Sequence, residues 1–240
     1  MIDTHAHLDA LDENAGAVVG RALDAGVSRI LTIGTEQAVA LADAHPGVYA
    51  VVGIHPHEAG EEHDLELVRA LLEHPKAVAV GEIGLDHFRD YAPRDAQQRL
   101  FEQQLELARE LGKPVVIHTR AADDETAATL RGFDGTVVLH CFSSPHLLPA
   151  ALEHGWYVSF AGNVTYKNAT DLRLAATQVP AERLLAETDC PYLAPQPVRG
   201  RKNEPAYVMH TLAELARVRG VDPAELEVEI ERNASACFDL

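Results

Sequence analysis

The sequence is short of cysteine, of basic residues and of long apolar runs, and each shortage excludes something. Its three cysteines, Cys141, Cys190 and Cys237, form no C-x-x-C pair and leave one over. A disulfide scaffold is therefore excluded, and a reduced, cytoplasmic protein is expected. Twenty Lys and Arg stand against 37 Asp and Glu, a formal charge of −17. That balance excludes a broad basic surface gripping long nucleic acid non-specifically. A local phosphate pocket stays compatible with it, because a bound divalent cation can be the largest charge in a site. No apolar run nears the roughly 20 residues that span a bilayer, and the acidic N-terminus enters a strand directly, so neither membrane segment nor signal peptide is expected. No linker, low-complexity tract or short repeat divides the 240 residues, which read as one domain over 1–240.

What is present is a regular alternation. Apolar runs at 1–4, 29–34, 48–54, 77–82, 114–118, 136–140, 156–160 and 183–189 read as strands. Between them lie helical patterns, the longest at 95–111 and closed by Gly112, with last helices near 205–217 and 223–237. Most strands are continuous apolar runs, as parallel strands covered on both faces require. Eight βα units in this length predict an α/β fold, a (β/α)8 TIM barrel, with a doubly wound open sheet as the rival.

The polar residues favour the barrel. His5 and His7 follow the first strand one residue apart, and side chains at i and i+2 of an extended segment point the same way, roughly 6.5–7 Å apart. Glu82 ends the fourth strand, His118 the fifth, His140 the sixth and Asp189 the eighth, with Glu187 two residues before Asp189. A barrel brings all these strand ends to one mouth, where active sites sit. A single histidine at a strand end is more often a core or capping residue. Together, these groups would leave buried polar atoms uncompensated unless divalent metal binds them. By alternation, Cys141 and Cys190 point away from the mouth and read as packing residues. A basic stretch, Arg199, Arg201 and Lys202, follows the eighth strand, where barrels often bind phosphate, with Asn203 as a helix N-cap.

The segments I-D-T-H-A-H-L-D (2–9), G-I-H-P-H (53–57), G-E-I-G-L-D (81–86), P-V-V-I-H-T-R (114–120), H-C-F-S-S (140–144), E-T-D-C-P-Y-L (187–193) and R-G-R-K-N-E-P (199–205) occur in this order. Together they resemble the TatD family of metal-dependent deoxyribonucleases, in the amidohydrolase superfamily, over nearly the whole chain. The resemblance places the family's metal ligands on His5, His7, Glu82, His118, His140 and Asp189. Departures such as Thr119, Ser144 and His87 remove no ligand. It implies a hydrolase, a DNA or other phosphodiester substrate, and divalent cations, two per chain, drawn from Mg, Mn, Zn or Ni. Glu82 is expected to bridge the two cations, with His5, His7 and Asp189 on one and His118 and His140 on the other. Asp189 is expected to take the attacking water's proton. Glu187 holds a further ion or orients a ligand, and His55 joins the basic stretch on the phosphate. An exonuclease-like or damage-directed DNase follows. The alternatives are an ester or amide hydrolase such as an aminoacyl-tRNA deacylase, and a non-catalytic barrel scaffold. No membrane or obligate protein partner is expected.

Overall fold

The computed structural model describes every residue except Asp90. Strands and helices alternate as β1 (Ile2–Ala6), α1 (Ala15–Asp24), β2 (Arg29–Gly34), α2 (Glu36–Ala44), β3 (Val48–Val52), α3 (Leu65–Leu72), β4 (Ala77–Asp86), α4 (Arg94–Leu111), β5 (Val115–Arg120), α5 (Asp123–Leu130), β6 (Val137–Leu139), α6 (Leu148–His154), β7 (Tyr157–Phe160), α7 (Thr170–Gln178), β8 (Leu184–Ala186), α8 (Val208–Arg219) and α9 (Pro223–Phe238). The strands form one parallel, 8-stranded sheet in sequence order. It is a nearly closed TIM barrel, as the alternation predicts. Ile2, Ile30, Leu31, Ile83, Ile117, Leu139 and Phe160 are all fully buried within it. Among the described residues, no helix is long and apolar enough to cross a membrane.

Closure between the first and last strands falls at the mouth. Ala6 bridges Cys190 in parallel, His7 N donates to Cys190 O at 2.8 Å, and Asp189 N donates to His5 O at 2.9 Å. Asp3 adds a side-chain strap: its Oδ1 accepts from Thr188 N at 2.8 Å and its Oδ2 from the Thr188 hydroxyl at 2.5 Å. The two histidines of β1 are thereby drawn against Asp189.

Several element ends differ from expectation. The fourth strand runs on to Asp86 rather than stopping at Glu82. Gly84 permits this: it sits at φ 140, and a Cβ there would lie 2.0 Å from the His118 carbonyl oxygen, so only glycine lets β4 press so closely on β5. The eighth strand is shorter than 183–189: it covers only Leu184–Ala186, after a 3-10 turn at Ala181–Arg183, and Asp189, beyond its end, is left-handed at φ 54. The 205–217 helix divides into a 3-10 turn, Pro205–Tyr207, and α8. Asn203 is no N-cap. It is buried, and its amide donates to Thr188 O at 2.9 Å and Tyr192 O at 2.5 Å, tying the basic stretch to the end of β8.

Candidate active site

Glu82 stands at the centre of the barrel mouth. It is buried, and its two oxygens face different partners. Oε2 lies 3.2 Å from His5 Nε2 and 3.7 Å from His7 Nε2. Oε1 lies 2.6 Å from His118 Nδ1, 2.7 Å from His140 Nε2 and 3.4 Å from His55 Nε2. Asp189 Oδ1 approaches His7 Nε2 at 3.5 Å and His5 Nε2 at 3.9 Å. The imidazoles of His5 and His140 stack with centroids 3.8 Å apart. All six residues expected at the strand ends therefore meet at one place.

Charge is concentrated here. Burial alone would push Glu82 up, but His140, His55 and His5, with the hydrogen bond to His118, outweigh it and hold the carboxyl well below the carboxylate range. Burial likewise opposes ionisation of Asp189, and the hydrogen bond from His7 with the nearby His140 and His5 overcomes it. His140 is pushed well up because Glu82 and Glu187 outweigh its burial. His5 moves down, through burial and then the neighbouring His140. It is fully buried; Nδ1 has no partner among the described residues, and Nε2 has the 3.2 Å approach of Glu82 Oε2 but no well-aligned hydrogen bond. A buried imidazole nitrogen without a partner is costly unless something else takes its lone pair.

The donor set fits divalent metal. Four groups of these side chains could each hold an ion, with ligand atoms within 4.8 Å of one another: His5, His7 and Glu82; His5, His140 and Asp189; Glu82, His118 and His140; and His55, His57 and His118. Glu187 belongs to none of them. It lies behind His140, where Oε1 faces Nδ1 at 3.1 Å and accepts from Cys141 N at 2.7 Å. That arrangement fixes a ring whose other nitrogen faces Glu82, the support that metal-binding histidines usually have.

Three features escape the sequence reading. Asp86 is fully buried, and its Oδ2 reaches His57 Nε2 at 2.7 Å and His118 Nε2 at 3.2 Å. Its Oδ1 accepts from Phe88 N and Arg89 N. The signal was its spacing: Glu82 and Asp86 are four apart on one strand, hence on one side. The second feature is a pair of buried amides on α4. Gln97 accepts from Asp86 N at 2.8 Å and donates to Asp86 O at 3.1 Å, while Gln104 does the same for Ile54, at 2.7 and 3.0 Å. Together they hold the backbone beneath Asp86 and His55. The third corrects an expectation. Cys141 does not point away: its backbone is left-handed, at φ 45, which breaks the alternation, and its thiol lies close enough to Asp189, Glu187 and Glu82 to feel their charge. Burial and the carboxylates of Asp189, Glu187 and Glu82 push that thiol well up. Cys190 is buried packing, as expected.

The basic stretch lies on the same side. Arg199 stacks over the Tyr166 ring at 3.8 Å, and Tyr166 is close enough to Cys141 and Asp189 for both to raise its hydroxyl, after burial. Lys202 pairs with Asp12 at 2.5 Å, and Arg201 is exposed.

Comparison with known proteins agrees with this geometry. A family model described as TatD related DNase matches residues 2–239. An uncharacterized metal-dependent hydrolase of Bacillus subtilis, YabD, is 35% identical over 100% of this chain and 99% of its own. A 3'-5' ssDNA/RNA exonuclease TatD of Enterobacter lignolyticus is 38% identical over 93% of this chain and 92% of its own. The crystal structure of YjjV, a TatD homologue from Escherichia coli K12, superposes with a TM-score of 0.93 at 33% identity, over 100% of this chain and 98% of that one. The chain thus belongs to the TatD-related DNase family, and it is a metal-dependent hydrolase.

Proposed function

We propose that this enzyme hydrolyses phosphodiester bonds in DNA, at strand ends or at abasic sites, with two divalent cations held at the barrel mouth. One observation carries the reading: the two oxygens of Glu82 face separate sets of histidines, which suits a carboxylate shared by two ions. With Glu82, His5, His7 and Asp189 would hold one such ion, and His118 and His140 the other. When bound, such ions supply Lewis acidity to the phosphoryl oxygens and acidify water.

The chain's own residues do the rest. Asp189 Oδ1 takes the proton of the attacking water. Glu187 orients His140 through Nδ1. His55, 3.4 Å from Glu82, and Arg199, Arg201 and Lys202 receive the phosphate oxygens. His/carboxylate ligation suits Zn, Mn or Ni and accommodates Mg. The Enterobacter relative is named a 3'-5' ssDNA/RNA exonuclease, and this supports action at strand ends. Three free cysteines suit work in the cytoplasm.

The test is the metal-loaded protein assayed on a 3'-labelled single strand, a duplex with one abasic site, and an aminoacyl ester. Release of mononucleotides from the first, or a nick in the second, is the expected outcome. Hydrolysis of the ester alone would move the assignment to a carboxylic-ester hydrolase on the same ligands.

A further inference from the structure

Beside the cluster, on the rim above β4 and β5, a strip of rings and guanidinium groups is open to solvent. Phe88 is 61% exposed and Tyr91 is 63% exposed, although large aromatic side chains are usually covered. Phe142, on the next loop but one, behaves in the usual way: it is 2% exposed and packs on Phe160. Loop packing therefore accounts for Phe142 and leaves Phe88 and Tyr91 unexplained.

Their neighbours give them a direction. The Arg120 guanidinium lies over the Phe88 ring, 4.0 Å from its centroid. Arg89 lies 5.8 Å from both the Phe88 and the Tyr91 rings. Tyr91 meets His57 edge to face at 4.8 Å, and His57 is held by Asp86, which also holds His118. The strip thus leads from solvent to the cluster without a break, with a ring or a planar cation at every step.

We infer that Phe88, Arg120, Arg89 and Tyr91 form a stacking subsite for the unpaired bases of a single strand whose scissile phosphate lies at the cluster. The inference rests on the phosphodiesterase reading and deepens it. Bases in a duplex already stack on one another, so only an unpaired strand can offer its faces to this strip. Arginine between aromatic rings serves such a strand twice, through its plane toward a base and its charge toward the backbone. The subsite is indifferent to base identity, because every base has a π-face.

Two measurements test it, on wild type, the double variant Phe88→Ala/Tyr91→Ala, and Tyr91→Phe. The first uses a single strand carrying 2-aminopurine near its 3' end, with metal withheld so that it stays intact. Binding quenches the fluorescence in wild type and in Tyr91→Phe, and the double variant loses the quench. The second compares KM for a base-bearing strand with KM for a strand of equal length made of base-free sugars. The base-bearing strand has a KM at least about 5-fold lower in wild type, the lower end of what one stacked base contributes, and the ratio falls towards one in the double variant. An unaltered quench, or KM rising equally for both strands, overturns the subsite. An enzyme that cleaves neither strand overturns the phosphodiesterase reading instead, while the quench still reports on the strip.

Discussion

His118 and Asp86 face each other across 3.2 Å, Nε2 to Oδ2, while the other nitrogen of the same ring faces Glu82 at 2.6 Å. The imidazole is thus held between two carboxylates, one at the centre of the cluster and one buried beside it. Asp86 also takes His57, so a single oxygen sets the orientation of two rings.

Replacing Asp86 with Asn tests that support. The amide oxygen still accepts from Phe88 N and Arg89 N, so the loop keeps its shape. The amide nitrogen cannot accept from either imidazole. Partners that support metal-binding histidines are typically worth 10–100-fold in affinity or activity. A loss of about that size is expected in calorimetric titration with Mn or Zn and in kcat/KM. Wild-type metal affinity would mean that Asp86 serves the loop alone.

Glu82→Gln should remove metal and hydrolysis together, with the circular dichroism of the barrel preserved. His140→Ala should empty one position only, so elemental analysis should find the metal content falling from the proposed two per chain towards one. Loss of thermal stability with full activity would remove Glu82 from the assignment.

Gln104 makes a separate claim, about stability. Its amide satisfies both the N–H and the C=O of Ile54, inside the core just before His55. Gln104→Leu leaves both buried and unpaired, at about 1–3 kcal/mol each. For a domain of this size, each kcal/mol lowers the melting temperature by about 2–4 °C. A calorimetric Tm unchanged by the substitution would show that water replaces the amide.

The strand-end ligands were legible because each interrupts an apolar run, and a parallel barrel has one place to put such interruptions. Asp86 was hidden because the fourth strand reads as ending at Glu82, whereas Gly84 lets it continue to Asp86. Gln97 and Gln104 look like solvent-facing residues of an amphipathic helix. Their positions say otherwise: they share the buried face of Leu100, Phe101, Leu105 and Ala108, and the polar members of that stripe bond backbone rather than water. Cys141 and Asp189 lie past the ends of their strands with left-handed backbones, where strand alternation no longer applies.

The basic stretch predicts a selective KM effect. Arg199 approaches the cluster through Tyr166, and Arg201 is exposed beside it. Arg199→Gln with Arg201→Gln should raise KM for a phosphodiester at least about tenfold, the loss of a single hydrogen bond to a charged group, and leave an uncharged ester much less affected. Equal effects on both substrates would make the stretch structural.

Salt dependence tests the whole distribution of charge. On the outside of the barrel many of the cations pair with carboxylates: Arg21 with Glu204, Arg29 with Glu231, Arg69 with Glu110, Arg99 with Asp95, Arg217 with Glu214 and Arg232 with Glu229. With a net charge of −17, such a surface repels a long polyanion. Attraction is confined to the mouth, where the proposed ions, the 199–202 stretch and the arginines beside Phe88 meet one end of a strand. One to three neutralised phosphates give a slope of log K against log salt of roughly −0.7 to −2 for a single strand, or −1 to −3 for a duplex. Six or more contacts would steepen it to about −4 or beyond. A slope that steep would place binding along the barrel's flank. Efficient cutting of closed circular single strands would remove the dependence on an end, leaving the shallow slope to be explained by a flipped-out or abasic nucleotide entering the same mouth.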